Sequence, residues 1–176
     1  DAAYAAWFEK HKASSEELDR QRRVTADFKI RPTFSLIVPL YKTPLDYLKV
    51  MADSVLGQTY GDLQLILINA SPELPALASA VHALEVRDSR VTVVTLESNL
   101  GITENTNVGI DAATGDYCCF LDHDDYIDAD LLFEYVKAIN ERPGIDFLYC
   151  DEDLVIEGKK AGTFNHQNPF FKPDYS

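Results

Sequence analysis

Cysteine is scarce in this sequence, with Cys118, Cys119 and Cys150 the whole supply. No two of them form a CxxC pair or stand at metal-ligand spacing, so neither a zinc site nor a disulfide framework is expected. Cys118 and Cys119 are adjacent, and neighbours on a strand point to opposite faces, which argues against a mutual disulfide. All three are expected to be small buried core residues in a reducing compartment. Long apolar runs are missing too, so no membrane span is expected. Positive charge is in short supply: 16 Lys and Arg face 29 Asp and Glu, a net charge of −13. That balance argues against nucleic acid or an anionic membrane surface as a direct partner. A small phosphorylated ligand stays compatible, provided a divalent cation stands between it and the carboxylates. The nucleotide motifs GxGxxG and GxxxxGK[ST] are absent. The start, "DAAYAAWFEKHKASS", lacks the basic opening and apolar centre of a signal peptide, and a cytoplasmic location is the expectation.

What the chain does have is an ordinary globular composition, 46% apolar and 26% charged over 176 residues, enough for one domain with a sizeable core. Helices are expected near residues 3–12 and 15–27. Tyr4, Trp7, Phe8 and His11 make one stripe at helical spacing, suited to packing against the main domain or a neighbour. "SSEELDRQRR" has an N-cap serine, early acids and late bases. From Phe34 short apolar runs alternate with helical stretches. "FSLIV", "LQLILIN", "RVTVVT", "DYCCFLD" and "IDFLYCD" read as five strands. The helix after "FSLIV" is expected to use Thr43 as N-cap and Pro44 as first residue, and the one before "DYCCFLD" to close on Gly115. "LVIEGKKAGTF" reads as a hairpin turning near Gly158. This alternation implies a mainly parallel sheet between helices, with every strand-to-helix loop along one edge. Ligands of such sheets bind outside the carboxyl ends of the strands. "PLYK", "NASPE", "ESNLG", "DHDD" and "CDED" should gather there.

The most unusual stretch is "LDHDDYIDAD", which places Asp122, Asp124, Asp125, Asp128 and Asp130 within nine positions. Like charges this close call for a positive partner. Asp122 and Asp124, one residue apart after a strand, can face one cation, and magnesium or manganese is often shared between carboxylates and substrate phosphates. Asp128 and Asp130 suit the start of the next helix as caps. An EF-hand fails, because the sixth and twelfth positions from Asp122 are Ile127 and Phe133. His123 is either a phosphate contact or an exposed spacer, and His166 is undecided.

Taken in order, "FSLIVPLYKTPLDYLKVMADSVLGQTY", "NLGITENTNVGIDAATGDYCCFLDHDD" and "YCDEDLV" resemble the family-2 glycosyltransferases with the GT-A fold. The resemblance covers about residues 33–176 and leaves 1–32 as an N-terminal helical extension. The lead-in with its tryptophan and the tail "FKPDYS" are similar to the bacterial branch that builds O-antigen, rhamnan and other surface polysaccharides. The family likeness implies an α/β GT-A domain binding a nucleotide-diphosphate sugar, UDP- or TDP-linked. Its implied site has Pro39 and Tyr41 beside the nucleobase and ribose. Asn99 and Gly101 line the donor pocket, and Asp122 and Asp124 bind the nucleotide sugar. Asp124 and Asp125 hold Mn2+ or Mg2+. The implied reaction is inverting transfer to a hydroxyl of a carbohydrate or lipid-linked saccharide acceptor. For the full-length protein it implies the inner face of the plasma membrane.

Two departures from the family pattern stand out. Many relatives have "DDGS" or "DDAS" after the second strand; here Asn69 and Ala70 take those places, and Asn69 offers an amide to a base edge. The family's general base lies in a later motif, so the catalytic base is expected beyond Ser176, in a chain truncated before that segment. Asp151, Glu152 and Asp153 match the family's "DED" and fall on the acceptor side. A non-catalytic nucleotide-sugar-binding module is the alternative, and a receiver-like phosphoacceptor a remote third.

Overall fold

The computed structural model describes residues 2–157 and 164–172. Four parallel strands form the central sheet: β1 (Phe34–Leu40), β2 (Leu63–Asn69), β3 (Val91–Thr95) and β4 (Tyr117–Phe120), in the order β3-β2-β1-β4. β1 and β2 are almost unbroken apolar runs because they lie inside the sheet and are covered on both faces. The helices α3 (Leu45–Leu56), α4 (Pro75–Arg87), α5 (Ile102–Asp111) and α6 (Leu131–Glu141) supply that cover.

The pleat divides the core in two. Phe34, Leu36, Val38 and Leu40 of β1 face the same way as Leu63, Leu65 and Leu67 of β2. They pack with Leu48, Met51 and Val55 of α3, Leu77 and Val81 of α4, and Leu132, Val136 and Ile139 of α6. On the other face Ile37, Ile66 and Ile68 meet Val108 and the alanines after α5. α5 comes so close that a Cβ on Gly109 would stand 2.3 Å from Ile37 Cγ2.

At the N-terminus α1 (Ala2–His11) and α2 (Ser15–Val24) precede a short 3-10 turn, Thr25–Asp27. Ser14 caps α2, accepting from the Glu17 amide. β5 (Glu152–Glu157) and β6 (Phe164–Phe170) form the expected hairpin, antiparallel and separate from the main sheet. Its turn, with Gly158, lies outside the described residues. The aromatic stripe of α1 packs on β6: Phe8 stacks on His166 at 3.6 Å and Trp7 meets Phe171 edge-on.

Several local expectations are corrected. Residues 145–151 form no strand, and Phe147 is 74% exposed. A strand needs a ladder partner, and among the described residues β4 has none beyond β1. Pro44, not Thr43, takes the N-cap position of α3, in extended conformation and with no side-chain cap bond. Gly115 does not cap α5, whose C-cap is Ala112. Glycine is needed there because a Cβ would lie 2.6 Å from the Thr33 carbonyl oxygen. Asp130 occupies the N-cap position of α6 without a side-chain bond. Gln58 does that work instead, accepting from Leu132 N at 3.0 Å and donating to Asp128 O at 2.6 Å. The cysteines are free but not buried: Cys118 is exposed and Cys119 half-buried on β4, which has only β1 beside it among the described residues, and Cys150 is half-buried outside any strand.

Candidate functional site

Chain direction through the sheet decides where a ligand fits. From β1 the chain moves outward through β2 to β3, then returns over the sheet by α5 and adds β4 on the other side of β1. The carboxyl ends of β1 and β4 therefore diverge, and their loops leave a crevice between them. A cleft of about 310 Å³ lies there, lined by Pro39, Tyr41, Asn99, Ile102, Asn105, Asp122, His123 and Asp124. One wall is the end of β1. The opposite wall is the acidic loop after β4, and the third is the turn into α5.

That turn is built by two asparagines. Asn99 Oδ1 accepts from Gly101 N at 3.0 Å and from Asn105 Nδ2 at 2.8 Å, while Asn105 Oδ1 accepts from Leu100 N at 3.2 Å. Gly101 has φ 90°, a conformation that favours glycine. The clasp from Asn99 to Asn105 encloses residues 100–104 and holds the turn in shape. In the acidic loop Leu121 N bonds Ile37 O, and Asp125 N bonds Asp122 O at 3.2 Å, so Asp122 to Asp125 form one tight turn. Downstream, Ile127 N bonds Ser54 Oγ and Thr59 N bonds Ala129 O, pinning the loop to the end of α3.

Two carboxyls of the loop, Asp125 and Asp128, are shifted upward. The Asp125 carboxyl is pushed up first by loss of water around it, then by Asp124, Asp122 and Glu152; His123 works against the shift. Asp128 is pushed up by loss of water and then by Asp130. Both residues keep exposed surface, so the crowding is around one side of each carboxyl. Among the described residues no three His, Cys, Asp or Glu side chains converge on one metal position. Two carboxylates on a cleft wall instead fit a hard divalent cation whose other oxygen ligands come from phosphate and water. Asp122 and Asp124 offer that donor set.

The expected site residues thus fall into groups. Pro39, Tyr41, Asn99, Asp122 and Asp124 share the cleft, and Gly101 shapes its turn. Asp125 is beside it, one position outside the lining. Asn69 is fully buried, with Oδ1 accepting from Ser71 N at 3.1 Å and Nδ2 without a partner. Asp151 accepts from Lys172 N, Glu152 pairs with Lys172 Nζ at 3.4 Å, and Asp153 bonds His166 and Tyr4. These three belong to the hairpin and none lines the cleft. His123 lines the cleft as well. Sequence reading missed Asn105 and Ile102, whose only signal was their spacing from Asn99. A second cleft of about 420 Å³, between α2 and α6, carries ion-paired Glu17, Arg20, Glu134 and Lys137 away from the strand ends.

Comparison with known proteins bears on the family and the fold. The family model described as "Glycosyl transferase family 2" matches residues 35–160. The O-antigen biosynthesis protein RfbC of Myxococcus xanthus is 30% identical over 176 residues, covering 99% of this chain and 13% of its own length. The chain thus spans a small part of that relative. Among solved structures, S. aureus TarS in complex with UDP-GlcNAc is similar with TM-score 0.55 and 26% identity, over 62% of this chain and 31% of its own. A mannosyltransferase of Pyrobaculum calidifontis in complex with GDP-Man and Mn2+ shares the fold with TM-score 0.55 at 19% identity, over 70% of this chain and 38% of its own. A GT-A sheet, a crevice at its switch point and a family match across most of the chain lead to one conclusion: the chain belongs to glycosyl transferase family 2.

Proposed function

We propose that this chain is the donor-binding part of a transferase that moves a sugar from a UDP- or TDP-sugar to a hydroxyl of a saccharide acceptor, with inversion and with Mn2+ or Mg2+. The observation that carries the reading is the cleft itself, where Tyr41 and Pro39 face Asp122 and Asp124 across the β1–β4 switch point. Tyr41 is 44% exposed and offers a ring face and a hydroxyl for a nucleoside. Asn99 and Asn105 hold the third wall rigid, so little ordering is needed on binding. Asp122 and Asp124 orient the ribose and, with Asp125, hold the cation. When bound, a divalent ion supplies charge stabilisation for the departing diphosphate. With a net charge of −13, the chain attracts such a cation and repels bare diphosphate. A role in bacterial surface polysaccharide synthesis follows by similarity to RfbC, whose name states O-antigen biosynthesis. That role belongs at the cytoplasmic face of the membrane. No helix among the described residues is long and apolar enough to cross one. The division into an N-terminal extension of residues 1–32 and a donor domain from 33 belongs to the same reading.

The test is calorimetry of UDP and TDP with and without Mn2+. Metal-dependent binding that is lost in Asp124→Ala is expected. Binding indifferent to both metal and the substitution overturns the reading. A second reading, a nucleotide-sugar-binding module without turnover, is favoured by Asn69, which puts a buried amide where many relatives carry a carboxylate. Transfer activity in the full-length protein removes it.

A further inference from the structure

A hydrogen-bonded chain outside the cleft runs from the N-terminal helix to the acidic loop. Tyr4 of α1 donates to Asp153 Oδ2 at 3.0 Å. The same oxygen lies 2.8 Å from His166 Nδ1. The far nitrogen, His166 Nε2, lies 3.3 Å from the Tyr126 hydroxyl. Tyr126 directly follows Asp125.

The proton positions follow from the partners. A carboxylate accepts only, so Asp153 takes both the Tyr4 O–H and the His166 Nδ1–H. The other ring nitrogen, Nε2, completes the chain through its contact with the Tyr126 hydroxyl. The Asp153 and His166 side chains are each 13% exposed. Phe8 covers the imidazole by stacking at 3.6 Å, and Tyr126 meets its edge. Three separate segments, α1, the β5–β6 hairpin and the acidic loop, thus meet at one ring.

The loop needs such a tether. Its downstream half is fixed to α3 through Ser54, Gln58 and Thr59. Its upstream half is a turn of three carboxylates that repel one another, and repulsion favours splaying. We propose that His166, oriented by Asp153, is a positioning residue that acts through Tyr126 to hold the Asp122–Asp125 turn in its cation-binding shape. The α1 helix contributes by sealing the imidazole from water. This inference rests on the donor-site reading above, since it assigns a purpose to the same carboxylates.

The test uses the intact chain and calorimetry of Mn2+ with UDP or TDP, with thermal unfolding alongside. Tyr126→Phe removes one oxygen and keeps the ring, so folding is preserved. It is expected to weaken metal–nucleotide binding about three- to tenfold, the effect of losing one hydrogen bond, with a melting temperature near that of the parent. His166→Ala should weaken it by a similar factor. The double variant should be no weaker than the worse single one, because both break the same chain. Parent binding that Tyr126→Phe leaves within twofold, while Asp124→Ala abolishes it, overturns this inference and spares the donor site. Fully additive losses in the double variant overturn it as well. A parent chain that binds no nucleotide with metal overturns both readings.

Discussion

At the scale of single residues, side-chain amides do much of the positioning. Asn99 and Asn105 shape the turn into α5, and Gln58 caps α6 while holding the acidic loop's carbonyl at Asp128. An amide carries a donor and an acceptor together, so it can satisfy two backbone groups that a carboxylate cannot. Asp128 and Asp130 were expected as caps, and the Leu132 amide is taken by Gln58 Oε1 instead. The acids that are not near the cleft behave differently. Asp88 is held low, at about 2, by the Arg90 guanidinium and backbone amide, and Arg90 also reaches the Leu56 carbonyl at the end of α3. A carboxyl held below its unfolded value gives stability that is present above the unfolded pKa and lost as pH falls through the folded one. The loss from this pair should fall between the ordinary Asp range and about pH 2. The full shift corresponds to ~2.5 kcal/mol, and partial exposure reduces this to ~1 kcal/mol. Asp88→Asn should therefore cost about 1 kcal/mol at neutral pH and nothing below pH 2, read from urea unfolding at both ends.

At the scale of elements, close approach decides what a position tolerates. Among the described residues, α5 and the alanines after it cover Ile37, Ile66 and Ile68 on that side of the sheet, and Gly109 lets the helix backbone descend onto Ile37. Gly109→Ala gains helix propensity of just under 1 kcal/mol, but its methyl would overlap Ile37. Overpacking of that kind costs ~1–3 kcal/mol, so a net loss of stability and a lower melting temperature are expected by circular dichroism. A rise in melting temperature would show that α5 can shift outward at no cost. The helix starts and ends were legible where the signal is local, as at Ser14 and Gly101. They were misread where the deciding partner is remote. Pro44 displaced Thr43, and Gly115 serves β1 and not a helix end, since its neighbour Thr33 is far away in sequence.

At the scale of the whole molecule, net charge and topology act together. A net charge of −13 disfavours a bare diphosphate, and on the proposed reading the switch point brings the acidic loop to the crevice where a cation would be shared. Ligand that binds only the folded state stabilises it by ~2.7 kcal/mol at one hundred times its dissociation constant. For a chain of this size that is a rise of ~5–10 °C in melting temperature. Mn2+ plus UDP or TDP should produce it in thermal denaturation, and Mn2+ alone should produce less. The sequence by itself determined the alternation of strands and helices, because periodicity and burial in a parallel sheet are written in runs of neighbouring residues. It also placed Asp122, Asp124, Tyr41 and Asn99 at strand ends. Only the tertiary structure decided which ends meet, that residues 145–151 join no strand ladder among the described residues, and that His166 reaches Tyr126 from the hairpin. Those contacts join segments far apart in the chain, and pairings of that kind are settled by packing, which no local pattern encodes.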